Sequence, residues 1–296
     1  MNLKKIILFY PSFERGGVEI VLVNFINYLL KKKIYVVLIS SNFNKLDILN
    51  NDYFSYKYFK LNKSFLPNRL STAREASKLL IDELKKSKKE NTVVFSFQSS
   101  SIAILISRIF GFKIVVRNAE DPIYSTLYAD KKILALFVIF SKILTYNFAN
   151  GIITNSKGSK LSMNKLVLNE KKIKSIYNPY LKENLKIKKN EKKDLILSVG
   201  RLTKQKDFKT LIYAFSLIHK KIPNFKLSIV GSGEKQRDLK KIISKLKLNN
   251  KIKIRKWTKN LNLYYTESKI FILSSIYEGL GNVLIDAANH KIPIIT

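Results

Sequence analysis

Cysteine is absent from the 296 residues. Disulfides, thiolate metal sites and a cysteine nucleophile are therefore excluded. Acidic residues are scarce: 21 Asp and Glu stand against 55 Lys and Arg, a formal net charge of +34. A charge of that size draws a chain to polyanions, whether nucleic acid, an anionic membrane face or phosphorylated ligands. The same enrichment in Lys, Asn and Ile is what an AT-rich genome yields without selection for binding, so charge alone assigns no partner. No basic helix, RNA-binding aromatic signature or zinc-finger spacing accompanies it, and no nucleic-acid partner is expected. Long apolar runs are missing too. The nearest, ILALFVIFSKILTYNFANGIITNS from Ile133, is interrupted by Lys142. It reads as a buried amphipathic helix followed by a strand rather than as a membrane span. Contact with an anionic inner membrane surface is the other reading of that helix. The N-terminal apolar run is about six residues long and lacks a small-residue cleavage pattern, so it reads as a first buried strand. The expected location is cytoplasmic, peripheral to the membrane in the second reading.

Hydrophobic residues make up 46% of the chain, with 18 Phe and 15 Tyr. That is enough for real cores and argues against disorder. Strand and helix patterns alternate: KKIILFY, then a helical period through Val18, Val21, Leu22, Phe25 and Leu29, then IYVVLIS. TVVFSF, KIVVRN, GIITNS and KIKSIYNP continue the strands. Such βαβ repetition predicts a parallel sheet covered by helices on both faces. The lysine-rich stretch after Asn178-Pro179 breaks the pattern, which restarts at LILSVG. We therefore expect an N-terminal domain over 1–178, a linker over 179–193 and a second doubly wound domain over 194–296. In the second domain, Asp207 reads as the N-cap of a helix whose buried face holds Phe208, Leu211, Ile212 and Phe215.

Ligands in such sheets bind where loops leave the carboxyl ends of the strands. Four loops carry candidate chemistry. Gly16 and Gly17 lead into the first helix, where backbone amides and the helix N-terminus favour an anion; a tight packing turn is the other reading. In SVGRLTKQKD, Arg201 and Lys206 fall between a strand end and a helix start and suit a diphosphate, Arg by a bidentate fork and Lys as a point charge. Gly231 and Gly233, in IVGSGEKQRDL, read as turn chemistry close to a ligand. In YEGLGNVLID, Glu278 ends a loop and Asp286 sits on the following helix. Eight helical steps between them give a rise of about 12 Å with both acids facing broadly one way. That is too far for a shared proton and suits two ends of one elongated ligand with neutral hydroxyls. The amides of Gly281, Asn282 and Val283 at the helix start can hold phosphate.

In this order and spacing, SVGRLTKQKDFKTLIYAF, LSIVGSGEKQRDL and SSIYEGLGNVLIDAANHKIPII resemble the GT-B glycosyltransferases of the family-4 type, which are retaining and use nucleotide sugars. The last segment resembles that family's E-x7-E motif; IYNP and RGGVE match as well. The resemblance implies a GT-B α/β fold of two Rossmann-like domains facing a cleft. It implies that Arg201 and Lys206 neutralise the leaving diphosphate, that Glu278 contacts the donor sugar and that Asp286 contacts the ribose. Gly16, Gly17, Gly200, Gly231, Gly281, Asn282 and Val283 would line the donor. Arg117, Asn118 and Glu120, in VVRNAEDP, stand where many relatives carry a histidine and would face the acceptor or sugar. No cofactor and no metal are implied; the substrates would be a nucleotide diphosphate-sugar and a glycan or lipid-linked acceptor in surface polysaccharide or lipopolysaccharide assembly. The second acid is Asp rather than Glu, and Lys291 replaces a common helix-ending glycine. His219 and His290 match no catalytic histidine. Relatives usually continue beyond PIIT, so a truncated second domain is expected, and with it a rival function: a non-catalytic subunit that binds only nucleotide or a partner.

Overall fold

The computed structural model describes residues 3–12, 17–41, 51–59, 68–179, 191–258 and 260–296. The chain divides into two compact units, Met1–Tyr180 and Leu181–Thr296. Gly16 and most of the 179–193 stretch lie outside the described residues.

In the first unit, β1 (Lys5–Ser12), β2 (Tyr35–Ser41), β3 (Phe54–Tyr58), β4 (Thr92–Ser96), β5 (Lys113–Asn118), β6 (Gly151–Thr154) and β7 (Ile173–Ser175) form one sheet. Its order is β3-β2-β1-β4-β5-β6-β7 and every pairing is parallel. Alternation along β1 splits its side chains between two cores. Ile7 and Phe9 join Ala76 and Leu80 of α2 (Asn68–Lys85) and Ile104 of α3 (Ser100–Ile109) on one face. Ile6, Leu8 and Tyr10 join Leu22 and Ile26 of α1 (Gly17–Lys31) on the other. Among the described residues three further helices belong to the unit: α4 (Pro122–Leu127), α5 (Lys132–Tyr146) and α6 (Lys157–Asn164).

Helix α5 corrects the expectation of burial. Its helical state agrees with the sequence, but only Thr145 and Tyr146 are buried. The reason is that polar residues, not the apolar ones, are tied to the unit. Ser141 Oγ lies 3.1 Å from Ser101 Oγ, and Lys142 Nζ donates to Asn118 Oδ1 at 3.0 Å. Those bonds fix the rotation of the helix and leave Ile133, Phe137 and Phe140 outward.

The second unit repeats the plan with β8 (Lys193–Val199), β9 (Lys226–Val230), β10 (Ile252–Arg255), β11 (Ser268–Ile272) and β12 (Ile294–Ile295), in the order β10-β9-β8-β11-β12, all parallel. Its helices are α7 (Phe208–Ile218), α8 (Gln236–Lys245), α9 (Asn262–Glu267) and α10 (Asn282–Asn289). Phe208, Leu211, Ile212 and Phe215 are all buried on α7, as their spacing predicts, and Asp207 Oδ1 accepts from Thr210 N as the N-cap. In each sheet the strand order reverses beside the first strand of the unit. In the second unit that switch point lies between β8 and β11, where doubly wound sheets bind ligands.

With only 10 glycines in the chain, lysine occupies left-handed positions after three helices. Lys33, Lys247 and Lys291 have φ of 55°, 58° and 54°. At each, the next residue's amide reaches back to close the helix: Ile34 to Leu29 O, Leu248 to Ile243 O and Ile292 to Ala287 O. This is the Schellman arrangement, in which glycine is preferred. A side chain in the left-handed region costs about 1–2 kcal/mol, against the extra ~0.5–1 kcal/mol of chain entropy that glycine loses on folding. The Lys247→Gly/Lys291→Gly double variant is therefore expected to gain about 1–2 kcal/mol in urea unfolding of the second unit. A loss of stability would show that the lysine side chains make compensating contacts.

Candidate active site

Two loops meet at the switch point of the second sheet. The first leaves β8. Gly200 N donates to Val230 O at 3.1 Å, so the loop starts as a continuation of the sheet. Arg201 stays exposed while Leu202 turns fully inward. A short 3-10 turn, Lys204–Lys206, then delivers the chain to Asp207 at φ 40° and into α7. The second loop leaves β11 and runs from Leu273 to Gly281.

Hydrogen bonds stitch these loops together. Ile276 N donates to Gln205 O at 2.8 Å. Gln205 Nε2 donates to Tyr277 O at 3.1 Å, and Ser274 Oγ donates to Lys206 O at 2.8 Å. The result places Lys206 Nζ in contact with Glu278 Oε1. Both side chains are largely buried, at 13% and 23% exposure. The aliphatic stem of Lys206 lies across Gly200, where an added Cβ would meet its Cδ and Cε at 3.2 Å. Glycine at 200 thus makes room for the stem that carries the ammonium to Glu278.

Gly231 has a packing role. A Cβ there would fall 1.9 Å from Gly200 O, and one on Gly233 would fall 2.5 Å from Leu202 O. The amide of Gly231 already donates to Arg255 O at 2.9 Å. The glycine-rich loop after β9 is therefore pressed flat against the loop that holds Arg201, and the Gly231 amide is not offered to a ligand.

The spacing between the acids needs correction. Helix α10 begins at Asn282, so only the four steps to Asp286 are helical, a rise of about 6 Å, and Glu278 sits on the loop before it. Glu278 is not aligned with Asp286 along one helix; it is turned to Lys206. Gly281 caps α10 without a side-chain bond, and it is crowded by Leu273 and Leu284. The amides of Asn282 and Val283 open the first turn, with the positive end of the helix dipole behind them.

His290, absent from the candidate residues, proves to hold the far end of this helix. Its Nδ1 donates to Asp286 O at 2.7 Å, and its Nε2 lies 2.6 Å from Asn262 Oδ1. The ring stacks on Tyr265 with centroids 5.0 Å apart, and Tyr265 OH in turn donates to Val283 O at 3.4 Å. The signal available in sequence was the i, i+4 spacing of Asp286 and His290. His219 instead closes α7, with Nδ1 2.7 Å from Ser216 O.

In the first unit, Gly17 opens α1 and is exposed. Arg117, Asn118 and Glu120 lie at the carboxyl end of β5. Arg117 is buried; its Nη2 donates to Asn178 Oδ1 at 2.6 Å and its guanidinium lies over Phe97 at 5.4 Å. Burial brings its pKa down to about 10, with Tyr10 pulling the other way. Asn118 donates to Glu120 O and accepts from Lys142. The Lys142 ammonium is the cation that sequence reading missed, since it appeared only as an interruption of an apolar run. Burial lowers its pKa, and Glu120 and Asp121 oppose the shift.

Residues 182–296 match the family model described as glycosyl transferases group 1. The chain is 26% identical to the amylovoran biosynthesis glycosyltransferase AmsD of Erwinia amylovora, over 84% of this chain and 73% of the relative. It is 32% identical, over 62% of its length, to the N-acetylgalactosamine-N,N'-diacetylbacillosaminyl-diphospho-undecaprenol 4-alpha-N-acetylgalactosaminyltransferase of Campylobacter jejuni. The chain spans about half the length, 51%, of that relative and of another matched at 31% identity. Among solved structures, Anabaena Alr3699/HepE in complex with UDP and glucose superposes with a TM-score of 0.73 at 17% identity, covering 99% of this chain and 80% of the other. Fold and sequence match agree: the chain has the GT-B architecture, and over its second unit it is similar to the glycosyl transferases of group 1.

Proposed function

We propose that the chain transfers a sugar from a nucleoside diphosphate-sugar to a glycan or lipid-linked saccharide, with retention, in surface polysaccharide assembly. The observation that carries this reading is the Lys206–Glu278 contact at the switch point of the second sheet. A cation and a carboxylate held together there divide the work on a nucleotide sugar. The ammonium has three donors, so it can hold Glu278 and the donor phosphate together. The carboxylate accepts from sugar hydroxyls. Arg201, exposed on the neighbouring loop, supplies a fork for the diphosphate. The first-turn amides of α10 hold phosphate, and Asp286 accepts from the ribose.

In the reaction the bond between anomeric carbon and phosphate oxygen breaks, and its electron pair leaves with the diphosphate. Charge develops on that oxygen, where Lys206 and Arg201 stabilise it. The acceptor oxygen bonds the anomeric carbon from the same face, and its proton passes to the departing phosphate. Retention rests on the acid-x7-acid resemblance, and charge compensation by side chains rather than metal is part of the same proposal. AmsD and the diphospho-undecaprenol enzyme favour a saccharide acceptor in bacterial surface assembly.

Thermal melts with UDP, GDP, ADP and CMP test the donor site. One nucleotide is expected to raise the melting temperature, UDP first in line given its presence in the HepE structure. Arg201→Ala is expected to remove most of that shift and Glu278→Ala part of it. Full stabilisation of Arg201→Ala would reject the diphosphate role of Arg201. No stabilisation by any nucleotide would favour a non-catalytic subunit that binds a partner.

A further inference from the structure

We propose that α5 docks the first unit onto an anionic lipid surface, lying in the plane of the membrane with its apolar face at the headgroup boundary. The inference stands on this helix and its neighbours and does not depend on which sugar is transferred. Helix α5 is inside out. Ser141 and Lys142 bond inward to Ser101 and Asn118, Lys132 at the start of the helix donates to Leu127 O of α4, and the buried residues are Thr145 and Tyr146. Its outward residues are Ile133, Leu134, Leu136, Phe137, Phe140 and Leu144, each between 51% and 74% exposed. Single exposed apolar residues are ordinary, but a contiguous face of this kind marks an interaction surface.

The face extends beyond one helix. Helices α3 and α4 pack against α5, and they contribute Ile109 at 79% and Leu127 at 55% exposure. At 15 residues the helix is about 22 Å long, shorter than the ~30 Å of hydrocarbon in a bilayer. Among the described residues no helix is long and apolar enough to cross a membrane. The geometry suits a helix lying on the surface rather than one spanning it.

Charge selects the occupant. From Lys131 to Asn169 the chain carries six lysines and no acid; Lys142 is turned inward to Asn118, which leaves Lys131, Lys132, Lys157, Lys160 and Lys165, within a protein of net charge +34. An anionic lipid surface attracts those lysines, by about 1 kcal/mol for each one near it. A second copy of the chain brings the same positive charge and is repelled. Nucleic acid would match the charge but has no use for six outward aliphatic and aromatic side chains.

The absence of cysteine makes the test clean. Phe137→Cys and, as a control on α7, Leu217→Cys are each labelled with a polarity-sensitive dye. Leu217 is 79% exposed and lies in the other unit. The labelled proteins are mixed with vesicles of phosphatidylglycerol and phosphatidylcholine, or of phosphatidylcholine alone. The dye at 137 is expected to shift to the blue on the anionic vesicles only, with little change at 217. In flotation, the Phe137→Ser/Phe140→Ser variant is expected to bind those vesicles at least about tenfold more weakly than the parent. Both residues are exposed, so the fold is retained, which a thermal melt checks. Equal binding by the double variant would mean diffuse charge attraction and overturn the proposal. So would an equal shift at 217, no binding to anionic vesicles, or a self-association of the parent that the double variant loses.

Discussion

Lys206→Ala is expected to lower kcat/KM for sugar transfer about a thousandfold. Two effects combine. In the proposed reaction the cation beside the departing phosphate is lost, and Glu278, now unpaired, becomes a bare anion beside an incoming diphosphate. The second effect makes a specific signature. Glu278→Gln removes the repulsion but keeps a group that can bond sugar hydroxyls, so the Lys206→Ala/Glu278→Gln double variant is expected to be less impaired than the product of the single losses. Stability separates function from folding here. The pair is 13% and 23% exposed, so removing one member leaves its partner unpaired and lowers stability; a thermal melt of each variant shows that it is folded before rates are compared. Steady-state rates with the nucleotide sugar chosen from the thermal melts make the measurement. Unchanged kcat/KM in Lys206→Ala would remove Lys206 from the reaction.

The second large effect is structural. Gly231→Ala is expected to destabilise the second unit by about 3 kcal/mol or more, because its Cβ would lie 1.9 Å from Gly200 O and that atom is main chain. The neighbouring loop cannot move away without breaking the Gly200 N to Val230 O and Leu202 N to Ser232 O bonds. Gly158→Ala, on α6, is the contrasting control: its Cβ would meet only Ser156 Oγ, at 4.0 Å, and it is expected to gain about 0.5–1 kcal/mol in a helix. Urea unfolding of both variants gives the comparison. A mild effect of Gly231→Ala would show that the two loops are not held in contact. The same substitution predicts lost nucleotide binding, since Arg201 sits on the loop that would be displaced.

The sequence was most legible where one period decides the structure. The apolar face of α7 and the alternation along β1 each follow from a single repeat, and the strand after each helix could be counted from the pattern. Helix α2, NRLSTAREASKLLIDELK, was not read, because polar residues dilute its period. Helix α5 was read as a helix and its rotation was missed: its hydrophobic residues suggest burial, but hydrogen bonds from Ser141 and Lys142 to distant partners decide which face turns inward. The site was legible by type and not by contact. Lys206 and Glu278 are 72 residues apart, and nothing local tells that the loops after β8 and β11 are joined. Their meeting follows from strand order, which places β8 beside β11. The rise of about 12 Å expected from Glu278 to Asp286 does not hold, because the chain is a loop through Gly279 and Gly281 and the helix begins at Asn282.

The stitching of these two loops bears on how such a site can diversify. The bonds from Ile276 to Gln205, from Gln205 to Tyr277 and from Ser274 to Lys206 all end on main-chain carbonyls. An acceptor of that kind is present whatever side chain its residue carries. Tyr277, Gly279 and Leu280 stand on either side of Glu278, whose carboxylate accepts from sugar hydroxyls in the proposed function. Exchanging Tyr277 or Leu280 would change the shape offered to the donor while the main-chain acceptors that hold Lys206 against Glu278 stay in place. Under the proposed function the reacting centre and the selection of sugar are thus separable within one short segment, and one scaffold could take a new donor without rebuilding its chemistry.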